Sequence, residues 1–592
     1  MNILGLSFFY HDAAAALVRD GQLVAACEQE RFTRHKHDSE FPDLAIEFCL
    51  KQAGITLEQV DHIVFYEKPF LKFDRILSCA LGTWPHSYKG FLKAIPIWMK
   101  DKIRLRAYIQ KKLQTEKDIL FCGHHMSHAA SAFLVSPFEK AAIITADGVG
   151  EWDSTCIGYG EGNRLVLEKK IEFPHSVGLF YSALTAYLGF KVNDAEWKVM
   201  GLAPYGKPAY VDQFLRLVDI KPDGSFRLNM DYYAHHWSES TMLNRWERLL
   251  GQPPRKPETD LTQFHYDVAR SGQAVVEKIM LGIATAVHNR YGLDDLCIGG
   301  GVGLNSVVNW KILKQGSGFK NIFIQPAAGD DGGALGAAFW VWNCVLNQPR
   351  KFSMRHAYWG PEYSDEEIGA ALDRFGAKYE KLSRDRLLDE TVKAIADGKV
   401  IGWFQGRQEF GPRALGNRSI LANPGNPKMK DIINAKVKFR EWFRPFAPSV
   451  LKEAAHIYFD MPEGFDSPYM LLVPQVRTEW RPKLAAITHE DGTGRVQTVE
   501  RDIAPLYYDL IKLWGEACGV PVILNTSFNV RGEPIVTTPE NAYNTFVKTG
   551  IDVLVMGSYM LRHKDQPVDF DRGMRESVSL EWSHAPAKVP TV

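Results

Sequence analysis

A pattern of three consecutive strands occurs twice in the first half of this 592-residue chain. Each copy consists of three short apolar runs separated by turn residues, and helical sequence follows it. The first copy is NILGLSF, then Ala13–Val18 and Leu23–Cys27 joined through Asp20-Gly21, followed by the helical segment Asp43–Gln52. The second copy is Ala141–Ala146, Thr155–Tyr159, the turn Glu161-Gly162-Asn163 and a strand from Leu165, followed by the helical segment Leu179–Leu188. An internal repeat constrains the fold more strongly than either copy alone.

An acidic residue stands after the first strand of each copy, at Asp12 and Asp147. In the actin-like (ASKHA) ATPase architecture, two strand–turn loops face each other across a cleft. Backbone N–H groups there hold phosphates, and acids hold a metal ion. We therefore predict an α/β fold whose N-terminal part is a duplicated actin-like domain. The pattern alone leaves open a second interpretation, two ordinary hairpins in one α/β sheet.

Two glycine-rich stretches follow the second copy. LCIGGGVGLNSVVN is an apolar strand, a turn at Gly300-Gly301 and a helix start after Asn305. It lacks the GxGxxG pattern, so we favour a turn that lets backbone approach a nucleotide, with a tight turn without ligand as the alternative. The second stretch, IFIQPAAGDDGGALGAAFWVW, carries Asp330 and Asp331 at the start of a small-residue helix. Acids at such a position also serve as helix caps.

Three histidines lie within five residues in FCGHHMSHAASAF. On a helix, His124 and His128 share one face because they are four residues apart, whereas His125 points elsewhere. This spacing predicts a metal pair, and the missing glutamate of HExxH disfavours a zinc protease. Two histidines with carboxylates suit iron, manganese or zinc. Core histidines bonded to the backbone are the alternative interpretation.

A polar stretch with two prolines near residue 350 predicts a linker between domains 1–350 and 351–592, with a loose tail from about residue 575. Beyond the linker, basic residues cluster among Gly, Pro and aromatic residues. The stretches are GRQEFGPRALGNRSIL, INAKVKFREWFRPFAPSV and VPVILNTSFNVRGEPIV. Guanidinium groups in such settings bind phosphate or carboxylate, so these stretches predict an anion site.

Composition narrows the function classes. The 70 basic residues equal the 70 acidic ones and the pI is near 7.3, which disfavours a dedicated nucleic-acid binder. No apolar run approaches the ~18 residues of a membrane helix, and the start MNILGLSFFYHD lacks the basic region of a signal peptide. Eight cysteines without a CxxC pair indicate free thiols. We expect a cytoplasmic protein without nucleic-acid or membrane partners, and the sequence leaves open whether it forms a homodimer.

Taken together, these motifs resemble the NodU/CmcH family of O-carbamoyltransferases over nearly the whole chain. The motifs are SFFYHDAAAAL, CEQERFTRHKHD, HHMSHAASAF, ADGVGEW, EWKVMGLAPYG, GGGVGLN, GDDGGALGAA, EFGPRALGNRSIL, KFREWFRPFAP, DGTGRVQTV and LNTSFNVRGEPIV. The resemblance implies that the second domain is a YrdC-like α/β twisted-sheet domain. That domain would convert carbamoyl phosphate and Mg-ATP into carbamoyladenylate, and the actin-like domain would move the carbamoyl group to a hydroxyl of a small-molecule acceptor.

The resemblance also assigns residues. A divalent metal, iron in the family, is assigned to His124, His128, Asp147 and Asp330, with Asp331 left open in place of Asp330. Gly148, Gly300, Gly301 and Asn305 are the expected nucleotide contacts of the first domain. Activation is assigned to Lys438, Arg440, Arg444, Ser527 and Asn529, with Arg413, Arg418 and Arg495 as phosphate contacts. We expect His11 to be the general base, with Asp12 as a weaker candidate, and Lys198 to stabilise the carbamoyl oxygen.

Three other functions remain open from sequence. A small-molecule kinase on the same duplicated fold would leave the histidine pair and the C-terminal basic clusters unexplained. A polymerising assembly protein and a tRNA threonylcarbamoyl-type modification factor are the others, the latter disfavoured by the zero net charge. We expect the acceptor pocket to involve two aromatic-rich segments, Phe70–Arg104 and Asn229–Asp260.

Overall fold

The structure, a computed structural model, describes residues 1–97, 102–238 and 240–567. These residues form two compact units. The first comprises Met1–Gln29 and His37–Met354, and the second comprises Glu30–Lys36 and residues 355–567. The structure thus places Glu30–Lys36, which the sequence division assigned to the first domain, with the second unit. The tail predicted to be loose lies outside the described residues, as does part of the predicted acceptor segment Phe70–Arg104.

The first unit contains two five-stranded sheets with the same topology. The first sheet has the order β3-β2-β1-β4-β5, with β1 (Asn2–Ser7), β2 (Ala14–Arg19), β3 (Gln22–Glu28), β4 (His62–Phe65) and β5 (Ile119–Phe121). The next strands are β6 (Lys140–Ala146), β7 (Asp153–Glu161), β8 (Arg164–Glu172), the small hairpin β9 (Val218–Ile220) and β10 (Phe226–Leu228), then β11 (Asp295–Gly299) and β12 (Asn321–Ile324). The second sheet has the order β8-β7-β6-β11-β12.

Strand directions are repeated in the two sheets as well. The first three strands of each are antiparallel neighbours, and the last two run parallel to the first. Each sheet therefore consists of a three-strand meander extended by two crossover strands. This confirms the duplicated α/β domain predicted from the repeated strand pattern.

Nineteen helices lie in the described residues, and those predicted at Asp43–Gln52 and Leu179–Leu188 are among them. In chain order they are α1 (Glu30–Thr33), α2 (Asp43–Ala53), α3 (Pro69–Gly82), α4 (Tyr88–Ile97), α5 (Leu105–Leu113), α6 (His124–Phe133), α7 (Val177–Tyr187), α8 (Glu196–Leu202), α9 (Val211–Leu215), α10 (Arg245–Leu250), α11 (Gln263–Tyr291), α12 (Ser306–Lys314), α13 (Asp330–Trp340), α14 (Asp365–Arg374), α15 (Arg384–Ala396), α16 (Met429–Ile433), α17 (Ala455–Tyr458), α18 (Pro505–Cys518) and α19 (Pro539–Val547). None of these helices combines the length and apolar composition needed to cross a membrane. All eight cysteines are free thiols, as expected.

Small residues let the buried helix α13 approach its neighbours closely. A Cβ atom at Gly336 would lie 1.9 Å from the carbonyl oxygen of Ser127 in α6. One at Gly5 in β1 would lie 1.9 Å from the carbonyl oxygen of Ala334. Backbone contact at these two points therefore requires glycine. The packing brings the first residues of α6 and α13 to one place in the first unit.

The second unit is an α/β domain built on one eight-stranded sheet. Its order is β13-β20-β19-β14-β15-β18-β16-β17, with β13 (Glu380–Lys381), β14 (Ile401–Phe404), β15 (Arg418–Ala422), β16 (Ala447–Leu451), β17 (Gln497–Val499), β18 (Val522–Ser527), β19 (Val553–Met556) and β20 (Tyr559–Arg562). Helices α15 and α18 contribute to the apolar core, in which Trp403 and Trp514 are buried. Their indole N–H groups donate to the carbonyl oxygens of Gly416 and Val522, both at 2.8 Å.

Candidate functional sites

Two histidine and two aspartate side chains converge in the first unit. His124 and His128 lie on one face of α6, Asp147 directly follows β6, and Asp330 begins α13. The two Nε2 atoms are 3.2 Å apart, and Asp147 Oδ2 lies 3.2 and 3.0 Å from them. Asp330 Oδ1 lies 3.8 and 3.5 Å from the same two nitrogens. One potential ligand atom from each residue therefore falls within 4.8 Å of all the others.

These separations fit the ligand shell of a single cation. Bonds of about 2.0–2.2 Å from nitrogen or oxygen to a divalent ion place neighbouring ligand atoms ~3 Å apart. Each Nε2 carries at most one proton, so protons alone cannot satisfy every contact between His124, His128 and Asp147 Oδ2. The donor set of two imidazoles and two carboxylates suits iron, manganese or zinc. The four residues predicted to bind a metal thus have the geometry that a divalent cation requires.

The ionisation states of the four side chains are coupled. Burial opposes the charged form of Asp147, but hydrogen bonds from His124 and His128 outweigh it and hold the pKa of Asp147 well below its usual value. Burial also favours neutral His128, yet hydrogen bonds to Asp147 and Asp330 raise the pKa of His128 to about 10. The pKa of Asp330 is lowered as well, because the nearby histidines outweigh burial. The carboxylates are therefore ionised and able to hold a cation.

Asp330 and Asp331 have opposite electrostatic surroundings. Burial, together with the charges of Asp12 and Glu28, raises the pKa of Asp331 well above its usual value. Asp331 is therefore favoured as a neutral acid, whereas Asp330 is ionised and reaches the histidine pair. This difference favours Asp330 over Asp331 as the fourth candidate metal ligand, a choice that the sequence left open.

His125 turns away from the candidate metal site, as its position on the helix predicts. Its Nδ1 lies 2.7 Å from Thr145 Oγ1, and its Nε2 lies 2.8 Å from the carbonyl oxygen of Asp153. Burial, followed by the charges of His124 and His128, lowers the pKa of His125 to about 3. His125 is therefore a neutral core histidine.

Three residues that sequence reasoning missed contact the candidate metal ligands. Glu151 Oε1 accepts hydrogen bonds from the backbone N–H groups of His124 and Lys68, at 2.8 and 2.9 Å. The hydroxyl of Tyr66 donates to Asp330 Oδ2 at 3.1 Å. Glu67 Oε2 lies 3.9 Å from His124 Nδ1. Tyr66 and Glu67 directly follow the buried strand β4, and polar residues at that position lie at the end of the sheet where the ligands gather. Glu151 lies in the loop between β6 and β7 and carried no such signal.

Two glycine loops lie beside Asp147. Strands β6 and β11 are parallel neighbours, so the loops that follow them are adjacent. A Cβ atom at Gly300, where φ is 89°, would lie 2.3 Å from the carbonyl oxygen of Ala146. One at Gly301 would lie 3.2 Å from Asp147 Oδ1, which also accepts from the Gly148 N–H at 2.7 Å. The structure thus gathers three predicted nucleotide contacts around Asp147.

Asn305 and Lys198 have other partners. Asn305 Oδ1 accepts from the backbone N–H of Val308 at 3.2 Å and caps α12. The side chains of Asn305 and Gln273 exchange hydrogen bonds of 3.2 and 3.1 Å. Asn305 is thereby committed to the fold, which disfavours its predicted nucleotide contact. Lys198 lies on α8 with its ammonium 5.5 Å from the ring centre of Phe190.

His11 belongs to a chain of acidic and imidazole groups. Its Nδ1 lies 2.9 Å from Asp12 Oδ2, and the other oxygen of Asp12 lies 2.7 Å from Nδ1 of His37. Nε2 of His37 lies 2.8 Å from Asp194 Oδ1. Burial lowers the pKa of His11, but the charge and hydrogen bond of Asp12 outweigh it and raise this pKa to about 9. His11 is therefore mostly protonated at neutral pH, which conflicts with a base that is ready to accept a proton there.

The second unit joins Lys438, Ser527 and Asn529 in one hydrogen-bond network. Lys438 is 3% exposed, and its Nζ donates to Asn529 Oδ1 at 2.8 Å, to Ser527 Oγ at 3.2 Å and to the Ser527 carbonyl oxygen. Ser527 Oγ donates to Asn529 Oδ1 at 2.8 Å. Because Ser527 ends β18, these groups lie at the edge of the sheet. Three residues predicted for activation are thus in direct contact.

Four arginines of the second unit add further positive charge, and two of them, Arg440 and Arg444, act on Lys438 directly. Burial, followed by the charges of neighbouring arginines, lowers the pKa values of Lys438, Arg440 and Arg495. Arg444 acts on all three of these groups, and burial lowers the pKa of Arg413 to about 10. We call these residues the cationic cluster: Arg413, Lys438, Arg440, Arg444 and Arg495. So much repelling charge in a partly buried place favours the binding of an anion such as phosphate.

Arg418 is not available as a phosphate contact. Its side chain is fully buried, and its guanidinium donates to four backbone carbonyl oxygens. These belong to Gln405, Gly406, Asn417 and Pro361, at 2.5, 3.0, 3.2 and 3.0 Å. The guanidinium carbon also lies 3.7 Å from the ring centre of Phe404. Arg418 therefore holds the loops of the second unit together, and the phosphate role predicted for it does not fit.

The loop that carries Arg413 is organised by residues missed from sequence. Glu409 Oε1 accepts hydrogen bonds from the backbone N–H groups of Leu415, Asn417 and Arg418, at 2.7, 2.9 and 3.2 Å. Nη2 of Arg31, in α1, donates to the carbonyl oxygen of Gly411 at 2.7 Å. The segment Glu30–Lys36 is thus tied to the loop of the second unit that bears Arg413.

Comparison with known proteins gives two family matches and several relatives that match most of the chain. The family described as "Carbamoyltransferase N-terminus" matches residues 2–339, and "Carbamoyltransferase C-terminus" matches residues 392–563. An uncharacterized protein of Synechocystis is 46% identical, covering 98% of this chain and 100% of the relative. The nodulation protein NolNO of Sinorhizobium fredii is 40% identical (95% and 81% covered), and the nodulation protein NolO of Bradyrhizobium diazoefficiens is 38% identical (79% and 82% covered).

Proposed function

The chain belongs to the carbamoyltransferase family, and from this premise we propose that it performs ATP-dependent O-carbamoylation of a small molecule. The proposed cosubstrates are carbamoyl phosphate and ATP. In the proposed sequence, water first attacks the carbonyl carbon of carbamoyl phosphate, the bond from that carbon to the phosphate oxygen breaks, and carbamate and phosphate result. Carbamate oxygen then attacks the α-phosphorus of ATP, the bond to the β-phosphate breaks, and carbamoyladenylate and pyrophosphate result. Attack of an acceptor hydroxyl on the carbamoyl carbon finally expels AMP.

The cationic cluster is the observation that carries the activation step. Attack on the α-phosphate of ATP needs positive charge on that phosphate and on the departing pyrophosphate. Arg440 and Arg495 are held among other cations, so an anion of high charge relieves their mutual repulsion. Nε of Arg440 is anchored to Asn434 Oδ1 at 2.7 Å, which orients the guanidinium before substrate binds. We therefore assign activation to the second unit.

The transfer step is assigned to the first unit. A divalent metal would be held by His124, His128, Asp147 and Asp330. The resemblance of this chain to the family suggests iron, with manganese or zinc as alternatives. When bound, this ion supplies positive charge for the phosphate end of carbamoyladenylate. Backbone N–H groups of the loops at Gly148 and Gly300 approach the nucleotide because no side chain blocks them.

His11 and Asp12 are the groups of the first unit proposed to manage the acceptor proton. His11 accepts a proton only in its neutral form, and Asp12 favours the protonated form. The charges of Asp147 and Asp330 also raise the pKa of His11, and a cation bound between them would cancel part of that effect. His11 is thus proposed as a base that gives up its own proton more easily, and so can accept one from the acceptor, when a cation lies between Asp147 and Asp330.

Pyrophosphate release tests the activation step without knowledge of the acceptor. The full chain with ATP should release pyrophosphate only when carbamoyl phosphate is present. Arg440→Gln removes a charge-assisted contact of ~1.5–3 kcal/mol, so release should fall about tenfold to over a hundredfold. Arg386→Gln, the same substitution on the exposed surface of α15, should leave release unchanged. Equal release by the two variants would contradict the assignment.

A further inference from the structure

Arg75, in α3, is a buried cation that the proposed chemistry does not use. Its side chain is 2% exposed, and Nε and Nη2 have no hydrogen-bond partner among the residues that the structure describes. A buried guanidinium has five N–H donors to satisfy, and leaving them unpaired costs free energy. A position this unfavourable in the free protein is typical of a group that meets its partner on binding.

The two carboxylates whose charges act on Arg75 have hydrogen-bond partners of their own. Glu67 Oε2 accepts from Lys72 Nζ at 2.8 Å, and Glu151 Oε1 accepts from the backbone N–H groups of Lys68 and His124. Their charges act on Arg75 through space, but neither glutamate forms a hydrogen bond to it. The two glutamates therefore offset part of the charge of Arg75 but accept no hydrogen bond from its Nε or Nη2.

Arg75 lies within Phe70–Arg104, one of the two segments expected to form the acceptor pocket, and its helix lies near the candidate metal site. Asp74, the residue before Arg75, accepts a hydrogen bond from the indole N–H of Trp152 at 3.1 Å. The neighbouring Glu151 accepts from the backbone N–H of His124 at 2.8 Å, so α3 lies against the loop that contacts the first residue of α6. The Arg75 guanidinium lies 4.9 Å from the ring centre of Phe173. The predicted acceptor segments contact each other, since the rings of His86 and Trp237 are 5.6 Å apart.

We propose that Arg75 binds an anionic oxygen group, a carboxylate or a phosphate, of the substrate that occupies the first unit. A planar guanidinium beside an aromatic ring matches the two oxygens of such a group. The group has two sources, an acidic substituent on the acceptor or the phosphate of the nucleotide. This inference deepens the proposed transfer reaction and rests on it.

Thermal unfolding of the full chain and of Arg75→Gln tests the proposal. The probes are AMP with adenosine as its neutral control, and gluconate with sorbitol as its neutral control. Ligands that bind only the folded state raise the unfolding temperature. Stabilisation that comes from the cationic cluster is common to both proteins, so the difference between them reports on Arg75. Arg106→Gln, at an exposed arginine of the same unit, is the control variant.

We expect free Arg75→Gln to unfold at a temperature no lower than that of the unaltered chain, because the substitution removes a buried charge without hydrogen bonds. A stabilisation by gluconate that Arg75→Gln loses identifies an acidic acceptor. Loss of part of the AMP stabilisation identifies the nucleotide phosphate. The proposal is overturned if both anions stabilise Arg75→Gln as much as they stabilise the unaltered chain, or if neither anion stabilises the unaltered chain more than its neutral control does. It is also overturned if Arg75→Gln unfolds at a lower temperature than both the unaltered chain and Arg106→Gln, because Arg75 then stabilises the free protein. These readouts need no carbamoyl transfer, so a failure of the proposed function would show separately, as missing pyrophosphate release.

Discussion

The Nε2 atoms of His124 and His128 lie 3.2 Å apart, and both face the same carboxylate oxygen of Asp147. Imidazole and carboxylate groups converge in this way where a cation lies among them. Asp330 reaches the same point from the start of α13, so three separate parts of the chain contribute to the site. The proposed transfer chemistry depends on this convergence.

The first prediction concerns metal content. The purified chain should bind about one equivalent of a divalent metal, because the four ligands form one shell. The double variant His124→Ala, His128→Ala should lose it, since half of the donor set is gone. His125→Gln is the matched control, because His125 lies on the same helix and contacts Thr145 instead. Elemental analysis of the three proteins should separate them, and equal metal content in the double variant would refute the site.

The second prediction concerns Gly150, which leaves room for the ring of His124, a proposed metal ligand. A Cβ atom at Gly150 would lie 2.7 Å from Cδ2 of His124, so Gly150→Ala must displace that ring. Changes next to a metal ligand typically lower metal affinity about 10- to 100-fold. In Gly123→Ala the added methyl would meet Met126 at an ordinary 3.7 Å, so the affinity should be unchanged. Competition with a chelator measures both; an unaltered affinity in Gly150→Ala would show that His124 is not a ligand.

The third prediction concerns the protonation of His11. Its pKa of about 9 is raised chiefly by Asp12, so in metal-free protein the ring should lose its proton as the pH rises through about 9. Asp12→Asn removes the negative charge and keeps a hydrogen-bond acceptor, so the midpoint should move down. Site-resolved hydrogen–deuterium exchange of histidine rings by mass spectrometry gives this midpoint. An unchanged midpoint in Asp12→Asn would show that Asp12 does not control His11.

The fourth prediction separates Arg418, a structural arginine at the start of β15, from Arg413 in the preceding loop, which is proposed to bind phosphate. Arg418→Met leaves several buried carbonyl oxygens without donors and should lower the free energy of unfolding by about 2 kcal/mol or more. Arg413→Met removes one of several repelling cations, so stability should be kept while pyrophosphate release falls. Urea denaturation with the release assay tests both. Equal stability losses would contradict the distinction.

Features governed by local geometry could be predicted from the sequence. The duplicated sheet follows from apolar runs and from turns such as Asp20-Gly21, because strand and hairpin signals act between near neighbours. The shared face of His124 and His128 follows from helix geometry alone. The assignment of activation to the second domain and transfer to the first came from the resemblance to the carbamoyltransferase family, because no local sequence pattern indicates it.

Features created by tertiary packing could not be predicted. Glu151 contacts the first residue of α6, and Tyr66 contacts the first residue of α13, only because loops distant in sequence are packed against these helices. Arg418 was misjudged because an arginine among glycines looks the same whether it binds phosphate or backbone carbonyl oxygens. The segment Glu30–Lys36 belongs to the second unit through contacts with residues several hundred positions away.

The most direct test of the proposed function is pyrophosphate release by His128→Ala, measured with ATP and carbamoyl phosphate. Because the two steps are assigned to different units, this variant should release pyrophosphate as the unaltered chain does, since carbamoyladenylate still forms and then hydrolyses. A mass-shift screen of hydroxyl acceptors should detect no carbamoylated product from it. If His128→Ala lost pyrophosphate release while circular dichroism showed an intact fold, the division of activation and transfer between the two units would be contradicted.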